Sequence, residues 1–168
     1  MYHSSEYPNE TENEDKFGRL YSWYTAVNVP ENDNTAEPTV STAAESTYPY
    51  VRGICPEGWA IPSSYNYTSM VAIAGGTDAV KSSSNLYWLP GAEGTDASGF
   101  GARGAGYYDS SIDRYVNLMG ETYFWTYEHS SSYKGKCAVI TYYCPQVMIE
   151  EKMKGMGFSI RCIRRENP

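Results

Sequence analysis

The sequence is short of several features that would declare its class directly. No apolar run approaches the roughly 20 residues of a membrane-spanning helix. The opening Met1-Tyr2-His3-Ser4-Ser5-Glu6 has neither the basic nor the apolar region of a secretory signal. Histidine is confined to His3 and His129, too few for a histidine-rich metal centre or proton relay. Positive charge is scarce: 13 Lys and Arg against 20 Asp and Glu leave the chain at −7. The basic residues gather only at Lys152 with Lys154 and at Arg161, Arg164 and Arg165, and a solvated strand face accounts for both groups. A chain of this sign without a basic stripe is a poor partner for nucleic acid or an anionic membrane. Cys55, Cys137, Cys144 and Cys162 lack the paired C-x2-C units of structural zinc, so a zinc site is not expected; no metal or other cofactor is assigned, and a structural cation on Asp109, Asp113 or Glu128 is left open. Ala, Leu, Glu and Lys never run together in long blocks, which argues against helical packing.

What is present points elsewhere. The 168 residues suffice for one domain with a sizeable core. Tyrosine occurs 17 times against four phenylalanines and four tryptophans, amid abundant Gly, Ser, Thr and Asn. That mixture favours short strands joined by long irregular loops. Tyrosine gives broad contact area with a polar tip at low entropic cost, as binding surfaces require, though many tyrosines simply fill half-buried strand positions. An even cysteine count is compatible with an oxidising compartment.

Along the chain, residues 1–16 are polar and acidic (Glu6, Glu10, Glu12, Glu14, Asp15) and read as a flexible segment ahead of a single domain at 17–168. Arg19 to Ser22 is expected as a strand running into a helical turn. A low-complexity loop follows at about 28–50. The stretch Val51-Arg52-Gly53-Ile54-Cys55-Pro56-Glu57-Gly58-Trp59-Ala60-Ile61-Pro62 places a cysteine and a tryptophan between backbone-fixing glycines and prolines, and Trp59 is assigned to the core with Trp23 and Phe158. Ser63 or Ser64 should cap a helix from about Tyr65 to Ala74, with Tyr67, Met70, Ile73 and Ala74 as its apolar stripe and Gly75-Gly76 as its stop. Residues 81–103 read as loop. Strands are expected at 115–118, 122–127, 137–143 and 158–163, with Glu150 and Glu151 on a charged strand. In the closing strand Phe158, Ile160 and Cys162 share one face.

Four blocks carry a family resemblance. They are Gly18-Arg19-Leu20-Tyr21-Ser22-Trp23-Tyr24, Tyr48-Pro49 leading into Val51 to Trp59, the segment at Gly99-Phe100, and Gly157-Phe158-Ser159-Ile160-Arg161-Cys162. In this order the chain resembles the Fibrobacter succinogenes major paralogous domain family. The resemblance implies an α+β, C-type-lectin-like fold, with short antiparallel strands, one or two helices and long irregular loops, similar also to the formylglycine-generating enzymes. It implies a secreted or surface-attached bacterial protein of the Bacteroidetes type, whose leader is removed or not shown, and no general enzymatic activity. Of the three possible connectivities it favours Cys55–Cys162 with Cys137–Cys144, and the first bridge would contribute at most about 4–5 kcal/mol through chain entropy. The strand-like run Ala138 to Tyr143 argues against the second. Two departures stand out: Ala60-Ile61-Pro62-Ser63-Ser64 replaces the family's usual Pro-Ser-acidic signal, and Cys137 and Cys144 are additional.

Candidate chemistries narrow from there. The lectin relatives that hold sugar through calcium carry carboxylates or amides on each side of a cis-proline and a Trp-Asn-Asp strand. Here Pro90 follows Leu89, Pro145 lies between Cys144 and Gln146, and Trp125 precedes Thr126-Tyr127. A formylglycine-type copper site needs a closer thiol pair than Cys137 and Cys144. His129 beside Glu128 and Ser130 reads as a solvent-exposed loop histidine, since triads are geometric. What survives is a binding surface on the variable loops: Trp88, Tyr107, Tyr108, Asp109, Asp113, Arg114, Tyr115, Tyr127, Glu128 and His129. Trp88 suits core or surface equally, and strand alternation turns Trp125 inward. The expected function is a non-catalytic surface module recognising a glycan or a protein partner. The competing class is a structural or assembly domain of an adhesin- or fimbria-like complex, and a formylglycine-generating-type oxidase is the remaining alternative.

Overall fold

The computed structural model describes residues 10–41 and 49–165, with the backbone alone for Glu10 and Thr11. Among the described residues there are three α-helices, α1 (Glu10–Phe17), α2 (Trp23–Val27) and α3 (Ser64–Ala74), and a single 3-10 turn at Thr77–Ala79. The strands are β1 (Val40–Ser41), β2 (Tyr50–Val51), β3 (Trp59–Ala60), β4 (Tyr107–Asp109), β5 (Arg114–Val116), β6 (Glu121–His129), β7 (Lys134–Thr141), β8 (Met148–Met153) and β9 (Ile163–Arg164). All pair antiparallel: β1 with β2, β3 with β9, β4 with β5, and β6-β7-β8 as a meander. The class is mixed, with few helices and small antiparallel sheets.

The meander organises the core because it is covered on both faces. Side chains alternate along a strand. Tyr123, Trp125, Cys137 and Val139 therefore join Trp23 and Phe158 on one face. Phe124, Ala138 and Ile140 join Tyr67, Val71 and Trp88 on the other. Burial on both sides is why 137–141 reads as an unbroken apolar run ending in a buried threonine.

Local chemistry sets the helices. Ser63 caps α3 through a reciprocal box with Asn66, and Gly75 ends it in the left-handed conformation. Its buried stripe is Tyr67 and Val71. Ile73, expected in that stripe, is 88% exposed, because the 67–71–74 row faces the sheet and Ile73 lies outside it. Ser22 caps α2 by accepting the Thr25 N–H at 3.1 Å. The Gly53 turn (φ +56°) docks on α2: the Ile54 N–H donates to Ala26 O at 3.1 Å, and a Cβ on Gly53 would come within 2.1 Å of that oxygen.

Several expectations need correction. Within the segment expected to be flexible, residues 10–16 belong to α1, which reaches Phe17, buried edge-on to Tyr87. Residues 1–9 lie outside the described residues, as do 42–48 of the low-complexity loop, whose flanks form β1 and β2. The segment expected as a strand over 158–163 is held mostly by single-residue pairings of Phe158 with Tyr21 and Ser159 with Phe124, before β9 pairs with β3. Trp59 is not core but 39% exposed, since the β3–β9 ribbon turns Ala60 inward instead, and the buried Ile61 pairs with Val51 beyond it. Lys154, expected on a solvated face, is 1% exposed. Cys55 and Cys162 are bridged across a separation of 107 residues. Cys137 and Cys144 are not bridged: Cys137 is buried within β7, and Cys144 sits in the turn beyond it.

Candidate functional site

The β4–β5 hairpin faces the start of α2 across a cleft of about 410 Å³. Tyr108 and Tyr115 are directly opposed across the hairpin, their ring centroids 5.2 Å apart. Tyr115 is 3% exposed and forms the base, while Tyr108 stands half-buried beside it. The hairpin turn places Asp113 in the left-handed region (φ +52°), conformationally accessible to Asp. There its Oδ1 accepts the Tyr108 hydroxyl at 2.7 Å. That hydrogen bond, more than burial, raises the Tyr108 pKa and keeps the phenol a donor.

The facing wall is built by the α2 cap. The Ser22 and Thr25 hydroxyls both donate to the Glu31 carboxylate, the latter at 2.6 Å. Gly155 and Gly157 complete the cleft. Gly157 must lack a side chain, because a Cβ would lie 2.9 Å from that of Tyr108. The result is two carboxylates and two aliphatic hydroxyls around a tyrosine pair. Each carboxylate has about four lone-pair sites and uses only some of them internally, so both can accept further hydroxyl donors.

Of the ten residues anticipated for the binding surface, this cleft brings together Tyr108, Asp113 and Tyr115. Asp109 instead accepts the Ser111 N–H and hydroxyl at the hairpin turn, and Arg114 is exposed opposite it. Tyr107 packs inward on Tyr123, ring centroids 4.8 Å apart, and burial raises its pKa. Trp88 is fully buried, its indole N–H donating to Ala102 O at 2.9 Å, which leaves no surface for a ligand. Tyr127 is half-buried in β6. Glu128 caps α3, accepting the Ser64 N–H at 2.5 Å. His129 is not a free loop histidine: its Nε2 lies 2.8 Å from Glu37 and its ring tilts against Trp23. Ser22, Thr25 and Glu31 escape sequence reasoning. The Ser22-x-x-Thr25 capping pattern was the available signal for two of them, and nothing marks Glu31 within its low-complexity surroundings.

Elsewhere, burial first and the Glu150 charge second push the Cys137 thiol up to about 12, which makes it an inert core group. Among the described residues no three His, Cys, Asp or Glu side chains converge as a metal site. No described helix is long and apolar enough to cross a membrane.

The family model of the Fibrobacter succinogenes major domain matches residues 2–164. The chain belongs to this family. In this Fibrobacter major domain, the Cys55–Cys162 bridge joins two of its recognisable blocks, and Tyr21 of the first block pairs with Phe158 of the last. No curated protein and no solved structure matches the chain.

Proposed function

We propose that this domain is a non-catalytic, lectin-like module that works outside the cell or at its surface and binds a neutral glycan in the Tyr108–Asp113–Glu31 cleft. The observation that carries the reading is the pairing of an aromatic base with two hydroxyl-accepting carboxylates in one opening of about 410 Å³. A sugar ring offers an apolar C–H face to tyrosine and hydroxyl donors to Asp113 and Glu31, the mixed lining that small-ligand sites use. The Cys55–Cys162 bridge supports an oxidising location, and the loop-rich, disulfide-tied architecture supports the likeness to lectins. Calorimetric titration with a panel of neutral oligosaccharides tests it. Binding should fall about tenfold or more in Asp113→Asn and in Glu31→Gln, corresponding to roughly 1.4 kcal/mol each. A blank panel with folded protein, or binding indifferent to both substitutions, sinks the reading.

A protein partner is the second reading. It is favoured by the exposed Tyr142–Tyr143 pair, edge-on at 5.0 Å beyond β7. Capture that is lost in Tyr142→Ala with Tyr143→Ala, but kept in Asp113→Asn, would favour this assembly role.

A further inference from the structure

A second opening, about 510 Å³, lies on the other side of the Arg19–Ser22 segment, and Tyr21 lines both. Its chemistry differs from that of its neighbour. Arg19, Arg103 and Arg161 border it, with the half-buried Tyr21 and Phe100 as its aromatic surface and Phe124 buried behind them. Arg19 is matched to Glu14 at 3.2 Å. The other two guanidiniums have no carboxylate partner among the described residues.

Both are nonetheless held in place. Arg103 lies 4.4 Å from the Tyr87 ring centroid and donates through one nitrogen to Lys16 O at 2.6 Å. Arg161 lies 4.8 Å from the Phe100 centroid and donates to Phe100 O at 2.8 Å. A guanidinium has five N–H donors in a planar fork. One carbonyl and one ring therefore fix each plane and leave most of its donors open. Three arginines against Glu14 and Asp15 make the lining net positive by one, on a chain whose net charge is −7. A pre-ordered fork of this kind suits planar or tetrahedral oxyanions.

The geometry points to an acidic-sugar subsite, in which Arg103 and Arg161 clamp the carboxylate or sulfate of a charged glycan residue while its ring rests on the aromatic lining. The inference extends the glycan reading to a second opening across a shared wall, so one oligosaccharide passing over Tyr21 would meet a hydroxyl-accepting site and then an anion-accepting one.

Titration of the whole protein with a hexuronate oligosaccharide, a sulfated one, an uncharged one of equal length and inorganic sulfate tests the assignment. At least one charged oligosaccharide should bind about tenfold or more tightly than the uncharged one, and the tighter of the two identifies the oxyanion. Arg161→Gln and Arg103→Gln should each remove that advantage while leaving the uncharged ligand's affinity unchanged. Arg161→Lys, which keeps charge but loses the fork, should restore only part of it. In the unmodified protein, the charged ligand should shift the Phe100 and Gly101 amide resonances and the Arg161 side-chain N–H, a readout independent of any variant's folding. Equal affinity for charged and uncharged ligands, unshifted resonances, or inorganic sulfate binding as tightly as the sugar would overturn the subsite. Neutral-glycan binding lost in Asp113→Asn with no charge preference would leave the first reading standing alone. Charged binding lost in Arg161→Gln without any neutral binding would do the reverse.

Discussion

Each face of the β6-β7-β8 sheet buries a tryptophan beneath a lysine, and the two faces treat the ammonium differently. On the face covered by α3, Lys81 is 3% exposed with its Nζ 5.5 Å from the Trp88 ring, and it donates to Ala92 O and meets Asp78, both at 2.9 Å. On the face covered by α2, Lys154 is still more buried, its Nζ 4.2 Å from the Trp23 ring and 5.9 Å from that of Tyr24, and no hydrogen-bond acceptor among the described residues reaches it. One ammonium is held by lone pairs and the other by π faces. Desolvation lowers the pKa of Lys154, against a smaller opposing influence of Glu37. Cation–π attraction contributes about 2 kcal/mol when desolvated, the same order as the cost of an unsatisfied buried polar group. The α2 face is therefore the more finely balanced of the two.

The largest test of that asymmetry is the disulfide. Reducing Cys55–Cys162 should cost about 4–5 kcal/mol. It should loosen the α2 face first, because Phe158, in that core, lies on the closing segment that the bridge anchors. Hydrogen exchange of the indole N–H groups of Trp23 and Trp125 should then outpace that of Trp88, and equal acceleration of all three would erase the distinction between the faces. Next in size is Gly135→Ala, whose Cβ would lie 2.6 Å from Trp23 Cδ1. Overpacking there should cost about 3 kcal/mol in urea unfolding, since the indole is also tied to Thr126 O at 3.1 Å and cannot retreat freely.

The two lysines give a smaller, direct contrast. Lys81→Met strips the Ala92 carbonyl of its donor and should cost about 1–2 kcal/mol. Lys154→Met should stay within about 0.5 kcal/mol of the parent, since it removes a desolvation penalty together with the ring attraction. Equal losses would refute the distinction.

The smallest effect is in pH. The folded-state pKa of Lys154 lies below the ordinary 10.5. Between those values the unfolded chain holds more protons, so stability rises with pH. The tyrosines oppose this. Tyr67 and Tyr123 are raised above 10.0, chiefly by burial. Above about pH 10 the unfolded chain sheds protons that the folded chain keeps, and stability falls. Comparing Lys154→Met with the parent at about pH 8, 9.5 and 11 cancels the tyrosines. The parent's gain on approaching pH 10 should be missing from the variant, while the alkaline loss should persist in both.

Legibility followed the range of the interactions. The α3 helix was readable because Ser63, Asn66 and Gly75 act within one turn of its ends. The strands of the meander were readable because β-branched and aromatic residues cluster in them. Trp59, Ile73 and Lys154 were misplaced because their burial depends on which neighbour covers them. In the cleft, Tyr108, Asp113 and Tyr115 stood out as aromatics beside carboxylates in one loop region, which the structure folds into the β4–β5 hairpin. Ser22, Thr25 and Glu31 did not, since they lie far away in sequence and meet the hairpin only once α2 is docked.

The sequence by itself determined the family, the mixed class, the capped helix and the strand-rich last third, all matters of short-range propensity and of ordered motifs. Only the tertiary structure decided that the meander is buried on both faces, that Lys154 sits among rings, and that two openings of unlike charge share the wall at Tyr21. Those outcomes depend on long-range docking, and burial and charge pairing are properties of the assembled surface, which no local stretch of chain encodes.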